Sequence, residues 1–449
     1  MNGAVRLPLD VPDLRFDGSG GSLVRRSVLP SGVRVLSERV PAAQSATVGF
    51  WVAVGSRDEA EGGYGSTHFL EHLLFKGTRA RTALDIAVSF DAVGGENNAL
   101  TAKEHTCYYA KVRDRDLEMA VTVLADMFCA SVLDPEEFEN ERGVILEELA
   151  MADDDPADVA NERFFEAVFG AHPLGRPIGG SPASIAGVTR DAVHAHYRAN
   201  YRPQDLVVTV AGAVDHDVLL DWLARALAEA GWDPAREATP VPRRTPLGRP
   251  LQRGSALTVV ERPLEQAVVM LGSSGFPAAD ARRPVISVLN SVLGGGMSSR
   301  LFQEIRERRG LAYSVYSFAA GYSDAGLFGM SAGCSPQRAG DVAELLLAEL
   351  HRLAADGITD AELARARGQL GGASALALED SDTRMSRLGR SELTLGEFVD
   401  LDETLRRLEG VTPDAVRALA VEFAERPLSL TAVGAVDASA FPLAVDAAA

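Results

Sequence analysis

Cysteine, basic residues, histidine and long apolar runs are all scarce in this 449-residue chain, and each scarcity excludes something. The three cysteines, Cys107, Cys129 and Cys334, stand far apart, odd in number and without C-x-x-C spacing. They make no disulfide frame and suggest reduced thiols and a cytoplasmic location. No apolar run is long enough to span a bilayer, and the start at Met1-Asn2-Gly3 has neither a basic region nor an apolar stretch behind it, so neither membrane insertion nor secretion is expected. Lys and Arg number 44 against 63 Asp and Glu, a net charge of −19. That balance argues against nucleic acid or an anionic membrane surface as partner and favours basic ligands. With only eight histidines, any close grouping of them is informative.

What is present is a globular composition, 46% hydrophobic, in a chain long enough for two or more domains. Its most informative stretch is Ser66-Thr67-His68-Phe69-Leu70-Glu71-His72-Leu73-Leu74-Phe75-Lys76-Gly77, which carries the start and stop signals of a short helix. At 100° per residue Phe69, Leu70, Leu73 and Leu74 share one side, and His68, Glu71 and His72 the other. Two histidines at i and i+4 can close on one zinc ion with the Glu beside a bound water, the H-x-x-E-H order that reverses H-E-x-x-H. The bland reading is a surface helix with scattered polar residues. A tetrahedral site decides between them, because it needs a third protein ligand.

Taken in order, residues 1–22 read as a loose arm rich in Gly, Pro and Asp. Strand-like segments run from Arg26 to Leu36, with a turn at Pro30-Ser31-Gly32, and from Ala46 to Val54. After the histidine helix come a helical pattern at Thr82 to Val93, a strand from Asn98 to Tyr109 and an amphipathic helix from Asp116 to Ala130. Asp134-Pro135-Glu136-Glu137 announces a further helix, with Phe138, Ile145 and Leu149 as its core stripe. Glu147 points away from that stripe, whereas Glu141 and Glu148 lie two turns apart along its flank. Exposure, a salt bridge or a metal would each account for a carboxylate there.

His68-x-x-Glu71-His72, followed 76 positions later by Glu148 in the context Glu141, Arg142, Val144, Glu148, resembles the inverted zinc peptidases of the pitrilysin and mitochondrial processing peptidase family. The resemblance implies one Zn2+ per chain on His68, His72 and Glu148, with Glu71 as general base and Glu141 as the carboxylate that orients the site. It also places Asn98, Ala99 and Leu100, within Gly95 to Thr106, on a strand that binds extended peptide beside the metal. An ordinary half-buried strand is the alternative there, and His105 and His172 both read as structural.

The chain also repeats itself. Leu206 to Asp215 (LVVTVAGAVD) is echoed by Leu428 to Asp437 (LSLTAVGAVD), and Gly187 to Val193 by Gly410 to Val416. The Pro- and Arg-rich segment 233–254 reads as a linker between a zinc-bearing catalytic lobe at 23–232 and a degenerate lobe without H-x-x-E-H at 255–449. In that second lobe Leu293 to Arg300 is glycine-rich, but no G-K-[ST] follows, which excludes a phosphate loop. The family resemblance instead points to Arg306 and Tyr313, which would hold the substrate carbonyl and stabilise its oxyanion.

The expected fold is therefore α+β, two homologous lobes, each a mainly antiparallel sheet backed by helices, enclosing a chamber. The resemblance implies a zinc endopeptidase acting on peptides or unfolded polypeptide, paired as a homodimer or as a heterodimer with an inactive homologue. Two rivals differ in kind: a non-catalytic or partner-dependent subunit of a heteromeric processing peptidase, and a zinc hydrolase for a non-peptide substrate.

Overall fold

The computed structural model describes residues 3–245 and 251–442. Residues 1–2 of the expected arm, 246–250 of the expected linker and 443–449 at the end of the expected second lobe lie outside the described residues. In chain order the strands are β1 (Val5–Arg6), β2 (Asp13–Asp17), β3 (Leu23–Val28), β4 (Arg34–Arg39), β5 (Ser45–Val52), β6 (Glu96–Thr101), β7 (Thr106–Arg113), β8 (Val207–Gly212), β9 (Leu257–Glu261), β10 (Ala267–Ser274), β11 (Ala312–Gly321), β12 (Gly326–Cys334), β13 (Glu397–Phe398) and β14 (Ser429–Gly434). The helices are α1 (Ser66–Leu74), α2 (Ala83–Asp91), α3 (Leu117–Ala130), α4 (Pro135–Asp154), α5 (Pro156–Phe169), α6 (Pro182–Gly187), α7 (Arg190–Asn200), α8 (His216–Glu229), α9 (Arg283–Gly294), α10 (Ala339–Asp356), α11 (Asp360–Ala377), α12 (Ser381–Arg390), α13 (Leu401–Glu409) and α14 (Pro413–Glu425).

The architecture is the expected α+β of two related, mainly antiparallel sheets backed by helices. One sheet runs β2-β3-β4-β8-β5-β7-β6 and the other β11-β12-β10-β14-β9. Reversed, the second order superposes on the end of the first, so that β9, β14, β10, β12 and β11 take the places of β4, β8, β5, β7 and β6. The single parallel pair falls at the same place in each, β4 with β8 and β14 with β9. The repeated LVVTVAGAVD and LSLTAVGAVD segments are β8 and β14, each buried along its whole length.

The compact units are not contiguous in sequence. The first comprises Met1–Leu149, Pro177–Arg244 and Ala375–Glu403, the second Ala150–Arg176, Thr245–Ser374 and Thr404–Ala449. A division at one linker follows the chain, whereas these units follow an exchange of single helices. In the first unit Val48 and Phe50 of β5 and Tyr108 of β7 face the core formed with α1, α3 and α8. The opposite face, with Trp51 and Val207, is covered by Met385 and Leu388 of α12. In the second unit Val269 and Leu271 of β10 face the core formed with α9, α10 and α14, while Met270 and Val433 meet Phe164 and Val168 of α5. Glycines let both helices lie close: a Cβ on Gly389 would be 2.6 Å from the Trp51 ring, and one on Gly272 or Gly329 would be 2.9 Å from the Phe164 ring. Buried ion pairs hold the returning segment in the first unit. Glu392, fully buried, meets Arg26 (3.1 Å), Arg34 (3.5 Å) and Arg243 (3.3 Å), and Glu38 meets Arg384 (2.6 Å) and Arg387 (2.9 Å). Removing one partner of such a cluster strands the other in a dry interior.

Two expectations change. The described part of the arm, 3–22, is not loose: β2 pairs antiparallel with β3 and buries Phe16, and β1 pairs with β13. The expected strand from Asn98 to Tyr109 is a hairpin of β6 and β7, because Ala102 to His105 form a turn closed by the Ala102 N–H on the His105 carbonyl (2.8 Å). No helix among the described residues is long and apolar enough to cross a membrane.

His216, the first residue of α8, is a titratable group in the packing of this unit. Asp13 accepts from Ser27 Oγ (2.6 Å), which leaves Ser27 to accept from His216 Nε2 (3.0 Å), so Nδ1 accepts from Ser37 Oγ (2.8 Å) and the ring is neutral. Burial, then the nearby Arg25, lowers its pKa to about 4, from an ordinary 6.5. The unfolded chain therefore takes up this proton first: the contribution is complete above pH 6.5 and is lost as pH falls towards 4. Denaturant melts should show wild type losing on the order of 2 kcal/mol more than His216→Gln across that window. Equal slopes for the two proteins would remove His216 from the pH dependence.

Candidate metal centre

The centre is built on α1, whose N-terminus and apolar face are each held by contacts. Gly65 starts it in the left-handed region (φ 91°), and the buried Glu59 carboxylate accepts the N–H groups of Gly65 (2.8 Å) and Thr67 (2.7 Å), a negative group at the positive helix end. Phe69, Leu70, Leu73 and Leu74 are fully buried, which turns His68, Glu71 and His72 to the other side, as their spacing requires. Phe69 stacks on Phe138 of α4, centroids 4.3 Å apart and planes 11° from parallel. That contact sets the two helices side by side and brings the carboxylates of α4 to the histidines of α1.

Glu148 Oε2 lies 3.4 Å from His72 Nε2 and 3.8 Å from His68 Nε2, and the three donor atoms all fall within 4.8 Å of one another. Tetrahedral zinc with bonds near 2 Å places its ligand atoms about 3.4 Å apart, so two imidazole nitrogens and a carboxylate oxygen at these separations fit it. Glu147, one residue away and exposed as Glu148 also is, is not in that group. Glu141 is 3% exposed: its Oε2 accepts a hydrogen bond from His72 Nδ1–H (2.8 Å) and its Oε1 meets Lys76 Nζ (2.6 Å). Burial alone would raise the Glu141 carboxyl, but the hydrogen bonds from Lys76 and His72 outweigh it and hold the pKa below its usual range. The bond fixes the His72 tautomer, leaving Nε2 free to ligate.

His68 has no such support, since its Nδ1 is buried without a hydrogen-bond partner among the described residues. It faces Gly179, where a Cβ would come 3.7 Å from that nitrogen. Burial, with His72 adding to it, lowers the His68 pKa to about 4, which keeps the ring neutral as ligation demands. Burial also raises the Glu71 carboxyl towards neutrality, against a hydrogen bond from Thr101. A carboxylate raised in this way is a stronger base than an ordinary one.

The structure thus brings together His68, Glu71, His72, Glu141 and Glu148. Asn98, Ala99 and Leu100 lie on β6, the last strand of their sheet, with Leu100 52% exposed and the Ala99 N–H donating to Asn98 Oδ1 (2.8 Å). Arg306 and Tyr313 belong to the second unit. Arg306 closes a π-helical turn, Phe302–Glu307, and its guanidinium stacks on Phe302 (4.6 Å) and Tyr313 (5.0 Å), the latter 82% exposed at the start of β11. His105 lies against Trp51 with the ring planes tilted (centroids 5.6 Å apart), and His172 accepts the Leu174 N–H at a turn (3.2 Å). Sequence reasoning missed Glu59, Lys76, Thr101 and Gly179. The Lys sits one turn beyond His72, a spacing that carried a signal; the others act across the fold and carried none.

Residues 34–181 match the profile described as "Insulinase (Peptidase family M16)", and residues 187–370 that of the "Peptidase M16 inactive domain". An uncharacterized zinc protease of Streptomyces coelicolor is 48% identical over 418 residues, 92% of this chain and 90% of that one. One of Mycobacterium tuberculosis is 47% identical over 91% of this chain and 93% of its own, and one of Bacillus subtilis 38% identical over 89% and 95%. Among solved structures, a protease from Helicobacter pylori is similar with a TM-score of 0.83 at 22% identity, covering 92% of this chain and 99% of that one. A peptidase M16 inactive domain from Pseudomonas fluorescens gives 0.82 at 19%, covering 92% and 97%. These two likenesses bear on the fold.

Proposed function

Because the chain belongs to peptidase family M16, we propose that it is a zinc-dependent endopeptidase that hydrolyses peptides or unfolded polypeptide segments bound in extended form. The observation that carries this reading is the convergence of His68 Nε2, His72 Nε2 and Glu148 Oε2 beside a half-buried Glu71. Zinc held there supplies Lewis-acid polarisation of the scissile carbonyl and a more acidic water. Glu71 takes the water proton as the C–O bond forms and returns it to the leaving amine as the C–N bond breaks, so its charge is unchanged over the cycle. Glu141 keeps the His72 ring in its ligating orientation. An extended substrate adds to the free edge of β6 through Asn98, Ala99 and Leu100, displacing the Asn98 side chain from the Ala99 N–H. The mutual stacking and exposure of Arg306 and Tyr313 support a role as donors to the developing oxyanion.

A cytoplasmic location, one Zn2+ per chain, and pairing as a homodimer or with an inactive homologue belong to the same proposal. The test is metal analysis of the purified chain together with a mixed peptide library read by mass spectrometry. Fragments that vanish on chelation and return with added zinc are expected. Zinc uptake with cleavage only after a second chain is added would turn the reading to a partner-dependent subunit, and zinc-loaded protein that cuts no peptide in either setting would end it.

A further inference from the structure

The end of the edge strand touches the general base, and a single loop fixes both. Thr101, the last residue of β6 and 7% exposed, donates its Oγ1 proton to Glu71 Oε2. The turn that follows it is gripped by the loop from Gly55 to Glu59: the Ser56 N–H donates to the Ala102 carbonyl (3.2 Å), the Arg57 N–H to the Lys103 carbonyl (3.0 Å), and the Arg57 guanidinium binds Glu104. Gly55 is packed so tightly there that a Cβ would run into the Ala102 carbonyl oxygen. The other end of the loop is Glu59, which holds the N-terminus of α1. One five-residue bracket therefore sets the distance between the helix that carries Glu71 and the strand that carries Asn98, Ala99 and Leu100.

We propose that Thr101 is a positioning residue that couples occupancy of the β6 edge to the orientation of the Glu71 carboxylate, a proposal resting on the endopeptidase reading. With Oε2 held by the Thr101 hydroxyl, Oε1 is the oxygen left to take the water proton. Without that hydroxyl the carboxylate turns freely about its last torsion, and the base spends most of its time misaimed. A peptide paired along Asn98 to Leu100 stiffens β6 and with it Thr101, so the base is best oriented when substrate is in place.

Valine replaces threonine at equal volume and removes only the donor, whereas serine keeps it. In the zinc-loaded full chain, Thr101→Val should keep its zinc, its melting temperature and its KM while losing roughly ten- to a hundredfold in kcat, the scale of a small misplacement at the reacting atoms. Thr101→Ser should return kcat close to wild type. Gly55→Ala, which displaces the turn but leaves the hydroxyl, should also lower kcat with zinc retained. Crystal structures of the metal-free proteins give a second readout, with the Glu71 carboxylate single in wild type and rotated or doubled in Thr101→Val. Unchanged kcat in Thr101→Val, an equal loss in the serine variant, or an unmoved Glu71 would overturn the coupling. Failure of wild type to cut any peptide would instead count against the endopeptidase reading, and the crystallographic comparison would still decide the role of Thr101.

Discussion

Glu71→Gln is expected to retain zinc and to lose between about a hundred- and ten-thousandfold in kcat for peptide hydrolysis, the usual worth of a positioned base. The side chain is not among the three that converge as ligands, and glutamine matches its shape, so the Phe69 and Leu70 packing that orients α1 is undisturbed. Its amide oxygen can still accept from Thr101, while neither end of the amide takes up a water proton at neutral pH. Steady-state cleavage of a peptide identified from the library, with metal content measured on the same sample, reads both quantities. Cleavage at the wild-type rate would remove Glu71 from the mechanism and with it the inverted-motif chemistry.

Three carboxylates of α4 should rank by what they touch. On the zinc reading, Glu148→Gln replaces the carboxylate oxygen 3.4 Å from His72 Nε2 and should weaken zinc binding by more than about a hundredfold, beyond the ten- to hundredfold expected when an outer partner of a ligating histidine is lost. Glu141→Gln belongs to that smaller class, since it reaches the centre only through His72. Glu147→Gln, outside the converging group, should bind zinc as wild type does. Competition against a fluorescent chelator measures all three without reference to turnover. A larger loss for Glu147→Gln than for Glu148→Gln would reassign the third ligand.

The histidine face of α1 was legible from helical geometry, because the buried Phe69, Leu70, Leu73 and Leu74 fix which way that helix faces. The preference for Glu148 over Glu147 drew on the wheel and the family resemblance together, since both residues are exposed. The duplication was legible because β8 and β14 are buried on every residue, which keeps their apolar sequence alike. The hairpin of β6 and β7 was missed because Ala102 to His105 lack the glycine or proline that marks most turns; contacts to Ser56 and Arg57 make the turn instead. β2 was missed because Asp, Gly and Pro dominate its surroundings, while the pairing with β3 that makes it a strand is a tertiary choice. Glu59 and Thr101 meet α1 only once the fold is complete, and no local pattern announces such contacts.

The exchange of α5 and α12 has a consequence in the order of synthesis. The face of the first sheet that carries Trp51 and Val207 has its cover in residues 375–403, near the far end of the chain. A ribosome that has made every proposed metal ligand, the last being Glu148, has still to make more than half the protein before Met385 and Leu388 can seal that sheet. The N-terminal half thus leaves the ribosome with an apolar surface and buried-site arginines unmatched, and it waits there for its last helix. The candidate site is encoded early and the cover of the opposite face of its sheet comes late, so the growing chain exposes apolar surface that the finished one buries.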